Sequence, residues 1–339
     1  MAIDKITSAA ITDGTITSSD LASGAVQNQS AFKNLFINGD MSIAQRGTTS
    51  SSTGYQTVDR WQLNTGTQQE QKTDTPDARF SKSFEVTGTT SGSSGYGICS
   101  QRIESKNVLQ ALGQTCTLSA YVKNTGTSTV NVSCEVYRAN STDTFSGLTL
   151  LTSLTSQAIT TGWTRITFPS FTVTDACSTG LEVRIFRYDA SNDQEWLLTG
   201  VQLEVGSSAS DFEFLPHDVT KRRCYRYYYR INFGSGLKYV GFGQVDNDNQ
   251  NIPAICNIFP EQMRTAPTAL EQSGTASHYK IREAGTYSCT SVPTFSNAST
   301  WNATVTFKRS GITSSDGFAQ GELLKCGGES GHLGWSAEL

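Results

Sequence analysis

Short runs in which apolar and polar residues alternate are the feature that most constrains the fold of this chain. In residues 130–138, Val130, Val132, Cys134 and Val136 alternate with polar side chains. A period of two puts the apolar set on one face of a β-strand and the polar set on the other. The same alternation occurs in three further segments: 117–123, 181–186 and 304–308. The pattern predicts an all-β fold whose sheets each bury one face.

The composition agrees with strands and turns. Charged residues make up 17% of the 339 residues, below the roughly 25% of an average soluble protein. Aromatic residues reach 10%, enough for packed cores. The formal net charge of −4 gives no general attraction to nucleic acid or to an anionic membrane, so we expect neither as a partner. No apolar stretch approaches the roughly 18 residues of a membrane helix, and the start lacks the features of a signal peptide.

The first 33 residues carry a repeat that suits neither a helix nor a strand. Five aliphatic residues recur at every fifth position: Ile6, Ile11, Ile16, Leu21 and Val26. On an α-helix successive members would lie about 140° apart, so no apolar stripe would form. One apolar residue in five cannot offset a backbone ordering cost of about 1–2 kcal/mol per residue. The leader is therefore disordered, docked on a partner, or wound with copies of itself. We interpret residues 1–33 as an extended attachment and oligomerisation leader.

Two β domains are expected after the leader. Residues 34–215 hold several strand patterns with Gly/Ser/Thr links, which is typical of a two-sheet sandwich. The apolar run 35–37 is expected to be its first strand, and the polar link 124–129 is expected to join 117–123 and 130–138 as an antiparallel hairpin. Pro216 follows this region, and residues 216–339 contain shorter strand patterns that predict a smaller C-terminal β domain.

Several motifs carry a resemblance to a known family. The first domain opens with NLFINGD at 34–40, followed by IAQRGT at 43–48 and DRW at 59–61. Later segments occur in the family's order: GVQLEVG at 200–206, DFEF at 211–214, RCYRYY at 223–228, MRTAPT at 263–268 and SAEL at 336–339. With these motifs the chain resembles phage and prophage tail-fibre proteins that contain a jelly-roll domain like a carbohydrate-binding module.

The resemblance implies a virion protein, assembled in the host cytoplasm and exposed on the particle. Its leader would form a thin homotrimeric stalk that contacts other virion proteins, and its jelly roll would bind a host-surface glycan. Two other functions remain open: an architectural adaptor or capsid-decorating protein without a ligand, and a glycan depolymerase. Modules of this kind commonly hold calcium, but no compact Asp/Glu cluster indicates a structural calcium site here, so no cofactor is expected.

Sugar sites need aromatic faces for stacking, surrounded by polar groups. Four loop tyrosines are candidates for this role: Tyr55, Tyr96, Tyr137 and Tyr188. Each of them could instead cover a sheet edge or lie at a subunit contact. The tryptophans of this region, Trp61, Trp163 and Trp196, are expected in the core.

The segment 221–230, KRRCYRYYYR, interleaves basic and aromatic residues. Such a pattern can follow a nucleic-acid strand, but the chain is acidic overall. As a strand, the segment would put Tyr225, Tyr227 and Tyr229 on one face and Arg226 on the other. We therefore predict packing between domains or subunits by these four residues. An acidic or glycan ligand held by the arginines is a further possibility.

No motif indicates catalysis. The three histidines lie far apart, and the sequence has no nucleophile elbow, P-loop or dinucleotide-binding glycine pattern. None of the eight cysteines forms a CxxC pair, and their spacing matches no zinc site. Carboxylate pairs for glycoside cleavage have no motif support. The chain is therefore expected not to be an enzyme, and most of its cysteines are expected to be reduced.

Overall fold

Strands make up most of the regular structure. The computed structural model describes residues 32–89, 95–127, 129–189, 195–232, 238–243, 251–282, 286–309, 322–326 and 331–339. Twelve strands come first: β1 (Thr49–Ser50), β2 (Gln62–Thr65), β3 (Gln68–Lys72), β4 (Ser83–Thr87), β5 (Gly95–Ile103), β6 (Thr115–Asn124), β7 (Val130–Ser141), β8 (Thr144–Ile159), β9 (Thr164–Thr167), β10 (Phe171–Thr172), β11 (Leu181–Asp189) and β12 (Glu195–Val205). Ten more follow: β13 (Tyr228–Asn232), β14 (Lys238–Gly243), β15 (Asn251–Ile258), β16 (Glu271–Gln272), β17 (Tyr279–Arg282), β18 (Thr286–Ser288), β19 (Ser291–Ala298), β20 (Asn302–Lys308), β21 (Glu322–Cys326) and β22 (His332–Ser336).

The helices are short. The described ranges contain two α-helices, α1 (Ser105–Val108) and α2 (His217–Tyr225), and three 3₁₀ turns, Leu109–Ala111, Asp175–Thr179 and Ala276–His278. Each helix that the structure describes is too short or too polar to cross a membrane.

The first twelve strands form two antiparallel sheets. One sheet has the order β1-β3-β4-β12-β6-β10, with β9 also paired to β6, and the other has the order β2-β5-β11-β7-β8. The chain passes repeatedly from one sheet to the other. The neighbouring strands β4, β12 and β6 of the first sheet are consecutive in sequence with β5, β11 and β7, respectively, which are neighbours in the second sheet. This winding is that of a jelly-roll sandwich. The predicted all-β class and jelly roll are confirmed.

The predicted hairpin between 117–123 and 130–138 is wrong. Strand β6 pairs with β12, β9 and β10, whereas β7 pairs with β11 and β8. The link 125–129 therefore carries the chain across the sandwich, over the roughly 10 Å that separate two packed sheets. Alternation identified both strands correctly, but it contains no information on which neighbour each strand pairs with.

The core lies between these two sheets. Trp61 and Trp196 are both fully buried there, as expected. Trp163 is only half-buried, and its indole nitrogen donates a hydrogen bond of 2.9 Å to Asp74 Oδ1. The expectation that it belongs to the core was wrong. Its loop precedes β9 at the surface, where a polar partner is available for the indole N–H.

Residues 35–37 do not form the expected first strand. Residues 35–38 are bends rather than strand residues, and the left-handed φ angles of Asn38 and Met41, 59° each, turn the chain directly after residue 37. Polar side chains bind this segment instead. Asn38 donates through Nδ2 to the carbonyl oxygens of Ile43 and Asp59, at 2.9 Å each. The segment is a buried turn bound to β12, through backbone hydrogen bonds from Leu35 to Leu203 and from Val201 to Gly39.

The later strands form a three-stranded sheet, β13-β22-β16, and a seven-stranded sheet, β18-β17-β21-β14-β15-β20-β19. Their hydrophobic cluster includes Phe259, Tyr279, Phe307 and Trp335. A small third cluster joins Ile37 and Ile43 to Cys224 and Tyr227, with Leu339 packed against it.

The prediction that segment 221–230 is one strand was wrong. The segment contains the end of a helix followed by the beginning of a strand. Helix α2 runs from His217 to Tyr225 after Pro216, with Asp218 in its first turn and Arg222 and Arg223 in its last. Pro216 and this arrangement of charges favour a helix, because the charges complement the helix dipole. Tyr225 and Tyr229 therefore belong to different elements, α2 and β13.

Two predictions concern parts of the chain that these observations do not reach. Residues 1–31 of the leader, with Ile6, Ile11, Ile16, Leu21 and Val26, lie outside the described residues, and the domain boundaries at 33/34 and 215/216 stay predictions. Six cysteines are described as unbridged and buried: Cys99, Cys116, Cys134, Cys177, Cys224 and Cys289.

Candidate functional site

The candidate site is the outer face of the five-stranded sheet, defined here by side chains of β5, β11 and β7 that point away from the core. Alternate residues of β11, Leu181, Val183 and Ile185, are fully buried in the core. Glu182 and Arg184 consequently lie on the opposite face. In the ladder Glu182 is paired with Arg102 of β5 and with Tyr137 of β7, and Arg184 is paired with Glu135.

Glu182 is the centre of this face. Its side chain is fully buried, and it accepts hydrogen bonds from Arg102 Nε at 2.7 Å and from Arg184 Nε at 2.6 Å. One carboxylate thus holds two partly exposed guanidinium groups in fixed positions. Charge-assisted bonds of this length are among the stronger hydrogen bonds in proteins, so the geometry is set before any ligand arrives.

Tyr137 lies next to this carboxylate. The Cζ atom of Arg184 lies 4.5 Å from the centroid of the Tyr137 ring, and the Tyr137 hydroxyl donates to Glu135 Oε2 at 2.6 Å. Burial and the hydrogen bond to Glu135 raise the pKa of Tyr137. The ring is half-buried and held at one face and at its hydroxyl, which fixes its orientation while part of it reaches solvent.

Tyr55 lies at the other side of the same face. The preceding residue, Gly54, exchanges two backbone hydrogen bonds with Leu63 of β2, at 2.8 and 3.1 Å. The Tyr55 hydroxyl oxygen is buried and, among the described residues, has no hydrogen-bond partner. Burial raises the pKa of this hydroxyl, the charges of Arg60 and Arg102 oppose the rise, and Glu182 adds to it. The hydroxyl is closed off from solvent, so a bound ligand can contact only the partly exposed remainder of the Tyr55 ring.

The other two candidate tyrosines are cross-strand neighbours. Tyr96 of β5 and Tyr188 of β11 are directly opposite each other in the ladder, near the end of both strands. Their side chains lie outside the described part of the structure, so their predicted role in stacking stays a prediction.

These groups form a row across the sheet. The row runs obliquely, because Gly54 is level with Leu63 and Cys99, three residues along β5 from Arg102. The four strand spacings from the Tyr55 loop to Tyr137 on β7 add up to roughly 19 Å across the strands. Hydroxyl, carboxylate and guanidinium groups alternate along it. Within the described ranges, no three histidine, cysteine, aspartate or glutamate side chains come together as a metal site requires.

The four residues predicted to pack between domains or subunits lie beside the first sandwich. Arg226 donates to both carboxylate oxygens of Glu104, at 3.0 and 2.7 Å, and the Tyr227 hydroxyl donates to the same carboxylate at 3.0 Å. Tyr225 and Tyr229 meet edge to face, with ring centroids 5.3 Å apart. Arg226 and Tyr227 therefore contact the residue that precedes α1, whereas Tyr225 and Tyr229 line a pocket together with residues 42–45.

The sequence suggests Tyr55 and Tyr137 as stacking residues, a role that stays a prediction, and it offers Glu182 only as one of several carboxylates without motif support. It gives no direct sign of Arg102 or Arg184. An indirect signal was present in segment 181–186, where two charged residues of opposite sign alternate with core residues. A cross-strand ion pair with Arg102 depends on the register between β5 and β11, which the sequence does not state.

Neither a protein-family model nor a curated protein sequence matches this chain. Solved structures do match. The chain is similar to a CBM22-1 xylan-binding domain of Xyn10C from Paenibacillus barcinonensis, with 15% identity and a TM-score of 0.33, over 48% of this chain and 94% of that one. It is similar to a putative sugar binding protein from Bacteroides thetaiotaomicron, with 15% identity and a TM-score of 0.35, over 51% and 99%. It is also similar to the enzymatically active domain of tailspike protein 4 from bacteriophage CBA120, with 13% identity and a TM-score of 0.33, over 52% of this chain and 22% of that one.

Proposed function

We propose that this chain is a virion structural protein that attaches to a host-surface glycan through the outer face. The observation that carries the proposal is the row that runs from Tyr55 to Tyr137, with Glu182 holding two guanidinium groups between them. The resemblance of the sequence to tail-fibre proteins supports the virion part of the proposal.

The chemistry of the row suits a saccharide. The apolar face of a sugar ring packs on an aromatic ring such as Tyr137, and sugar hydroxyls bond with carboxylates and guanidinium groups. Arg102, Arg184 and Glu135 are already oriented by bonds within the protein. Binding therefore loses less side-chain entropy than it would on a mobile surface.

The leader completes the proposal. Its five aliphatic residues would meet those of sister chains or of another virion protein, giving a homotrimer attached to the particle. Several weak glycan sites on one particle bind strongly through avidity. Deleting residues 1–30 is expected to lower the oligomer mass in sedimentation and to abolish attachment to the particle. If both are unchanged, the role of the leader is wrong.

The test of the binding site compares two tyrosines that both lie under an arginine. Tyr137→Ala removes the ring under Arg184, and Tyr287→Ala removes an exposed ring under Arg309, whose Cζ is 3.4 Å from that centroid. We expect the full chain to bind a host-surface polysaccharide, Tyr137→Ala to weaken binding about threefold to tenfold, and Tyr287→Ala to leave it unchanged. A wild-type chain that binds no host-surface preparation contradicts the proposal and favours the architectural adaptor.

We propose binding without cleavage. Glu182 is engaged by two guanidinium groups and Glu135 by the Tyr137 hydroxyl, so neither carboxylate is free to act as the proton donor that glycoside cleavage requires. Incubation with the bound polysaccharide is therefore expected to release no reducing ends. Their release, lost in Glu182→Gln, would instead support a depolymerase.

A further inference from the structure

A concave site, separate from the sheet face described above, lies where α2 and β13 meet the first sandwich. This junction pocket has a volume of about 430 Å³ and is lined by residues 42–45, by α2 and by β13. Its size is within the range of small-ligand pockets. None of its lining belongs to the outer face of the five-stranded sheet.

The walls of the pocket are joined by hydrogen bonds. Gln45 donates through Nε2 to the Tyr228 carbonyl at 2.9 Å and accepts at Oε1 from the Arg230 amide at 3.2 Å. Asn232 donates through Nδ2 to the Gln45 carbonyl at 3.0 Å. Residues 42–45 and β13 therefore hold each other in place, so the pocket exists before a ligand enters.

The ionisable side chains that line the pocket carry basic groups or phenols, with no carboxylate among them. His217 and Lys221 are one helical turn apart on the same face of α2, and Arg230 lies opposite on β13. In the described part of the chain, Lys221 makes no ion pair. Among the residues that the structure describes, the guanidinium of Arg230 donates to two neutral acceptors, Nη1 to the Arg46 carbonyl at 2.7 Å and Nε to Asn232 Oδ1 at 2.7 Å. Cations without counterions around a concave surface favour an anionic ligand.

Two tyrosines give the pocket an aromatic wall. Tyr229 is stacked on Trp335, with centroids 5.9 Å apart and ring planes 12° apart, which fixes its ring. Tyr225 meets Tyr229 edge to face and is half-buried. Lys221 Nζ lies 5.8 Å from the Tyr225 centroid, so charge and aromatic surface are adjacent. A ligand that combines an anionic group with a ring fits this arrangement better than a simple ion.

We propose that the junction pocket binds an acidic saccharide unit. Lys221 and Arg230 would neutralise its carboxylate or phosphate, and Tyr225 would cover one face of its ring. The ligand class rests on the proposed function, but the site is separate from the outer face. The same glycan could then contact the protein at a neutral stretch on the sheet and at an acidic unit in the pocket.

The experiment is ligand-observed NMR with the full chain and four probes: glucuronate, glucose 6-phosphate, glucose and inorganic phosphate. We expect glucuronate or glucose 6-phosphate to bind at least about tenfold more tightly than glucose and than inorganic phosphate. The preferred probe of the first two identifies the anionic group as carboxylate or phosphate. Equal binding of glucose would overturn the role of the cations, and equal binding of inorganic phosphate would overturn the saccharide.

Two variants locate the site. Lys221→Gln is expected to weaken binding of the preferred probe about tenfold, whereas Lys82→Gln, the same change outside the pocket lining, is expected to leave it unchanged. Equal binding by wild type and Lys221→Gln contradicts the proposal. Tyr137→Ala separates this site from the proposed function, because it should reduce polysaccharide binding while leaving the small anionic probe bound. Loss of the small probe in Tyr137→Ala would contradict a separate pocket.

Discussion

Arg60 donates a hydrogen bond to Glu338 across 278 residues of chain, and both side chains are almost completely buried, with 1% and 6% of their area exposed. Arg60 also donates through Nη2 to the Arg102 carbonyl at 2.7 Å, and its guanidinium lies 3.6 Å from the Tyr227 centroid. The last residues of the chain are therefore bound to the loop that precedes β2.

Glu338→Gln should destabilise the protein strongly. It would leave the buried charge of Arg60 without a counterion, and breaking a buried pair from one side costs about 3–5 kcal/mol. Urea unfolding of the full chain measures the loss. The matched control is Asp77→Asn, which removes an exposed ion pair with Arg79 and should not change the unfolding midpoint measurably. Equal midpoints for wild type and Glu338→Gln would show that the buried pair contributes nothing.

Gly39→Ala should also destabilise the sandwich. A Cβ at position 39 would lie 2.2 Å from the Val201 carbonyl oxygen, which is backbone and cannot rotate away. The turn would have to separate from β12, at a cost of about 1–3 kcal/mol or more. Gly162→Ala is the control, because a Cβ there has no heavy atom within 4 Å. Thermal unfolding should separate the two variants clearly, and similar melting temperatures would mean that this turn yields without cost.

Glu104 should make stability depend on pH on the acid side. Burial would raise its pKa, but the hydrogen bond and charge of Arg226 and the hydrogen bond from Tyr227 hold the pKa below its ordinary value of 4.5. Its folded pKa is depressed, so its contribution is present above pH 4.5 and is lost as the pH falls through the folded pKa.

The difference in melting temperature between wild type and Glu104→Gln reports this contribution. It should be largest near neutral pH and should shrink below about pH 4.5, where wild type loses the charged carboxylate and the variant loses nothing. The control is Glu261→Gln, which removes an exposed pair with Arg222 at 3.8 Å and should change the melting temperature little at any pH. A difference that stays constant from pH 7 to pH 3 would contradict the role of the Glu104 charge.

The six described cysteines should be unreactive in the folded protein. Burial raises the pKa of Cys116 and that of Cys289 to about 12, and it raises the pKa of the other four as well. The thiolate is the reactive species, so alkylation at pH 8 should leave these residues unmodified until urea unfolds the chain. Mass spectrometry of the peptides assigns each site. Rapid native modification of Cys116 or Cys289 would be inconsistent with the burial described.

Local sequence predicted strands well and their partners poorly. Val130–Val136 and Leu181–Ile185 alternate as strands of a sandwich must, because burying one face requires it. The link 124–129 looked like a hairpin loop, since a polar loop of that length suits a hairpin as well as a crossing between sheets. Only the pairing of β6 with β12 decides between them, and those strands are far apart in sequence.

The candidate sites show the same contrast between single residues, which the sequence indicates, and their contacts, which it does not. Tyr55 and Tyr137 are candidates from sequence because an aromatic side chain among polar ones is visible locally, but the expectation of a loop position was wrong for Tyr137, which lies on β7. Glu182 acquires its importance from Arg102, 80 residues earlier, and the junction pocket joins residues 42–45 to α2. The segment 221–230 was assigned to a strand because its tyrosines alternate, but Pro216 and the charges at both ends of α2 favoured a helix.

The contact between Arg60 and Glu338 also bears on the order of events during translation. Arg60 leaves the ribosome 278 residues before its counterion does. A sandwich that forms while the chain is still growing must keep that guanidinium hydrated, because burying it without a counterion is costly. We expect the loop around Arg60 to close only after residues 336–339 have been synthesised and can dock.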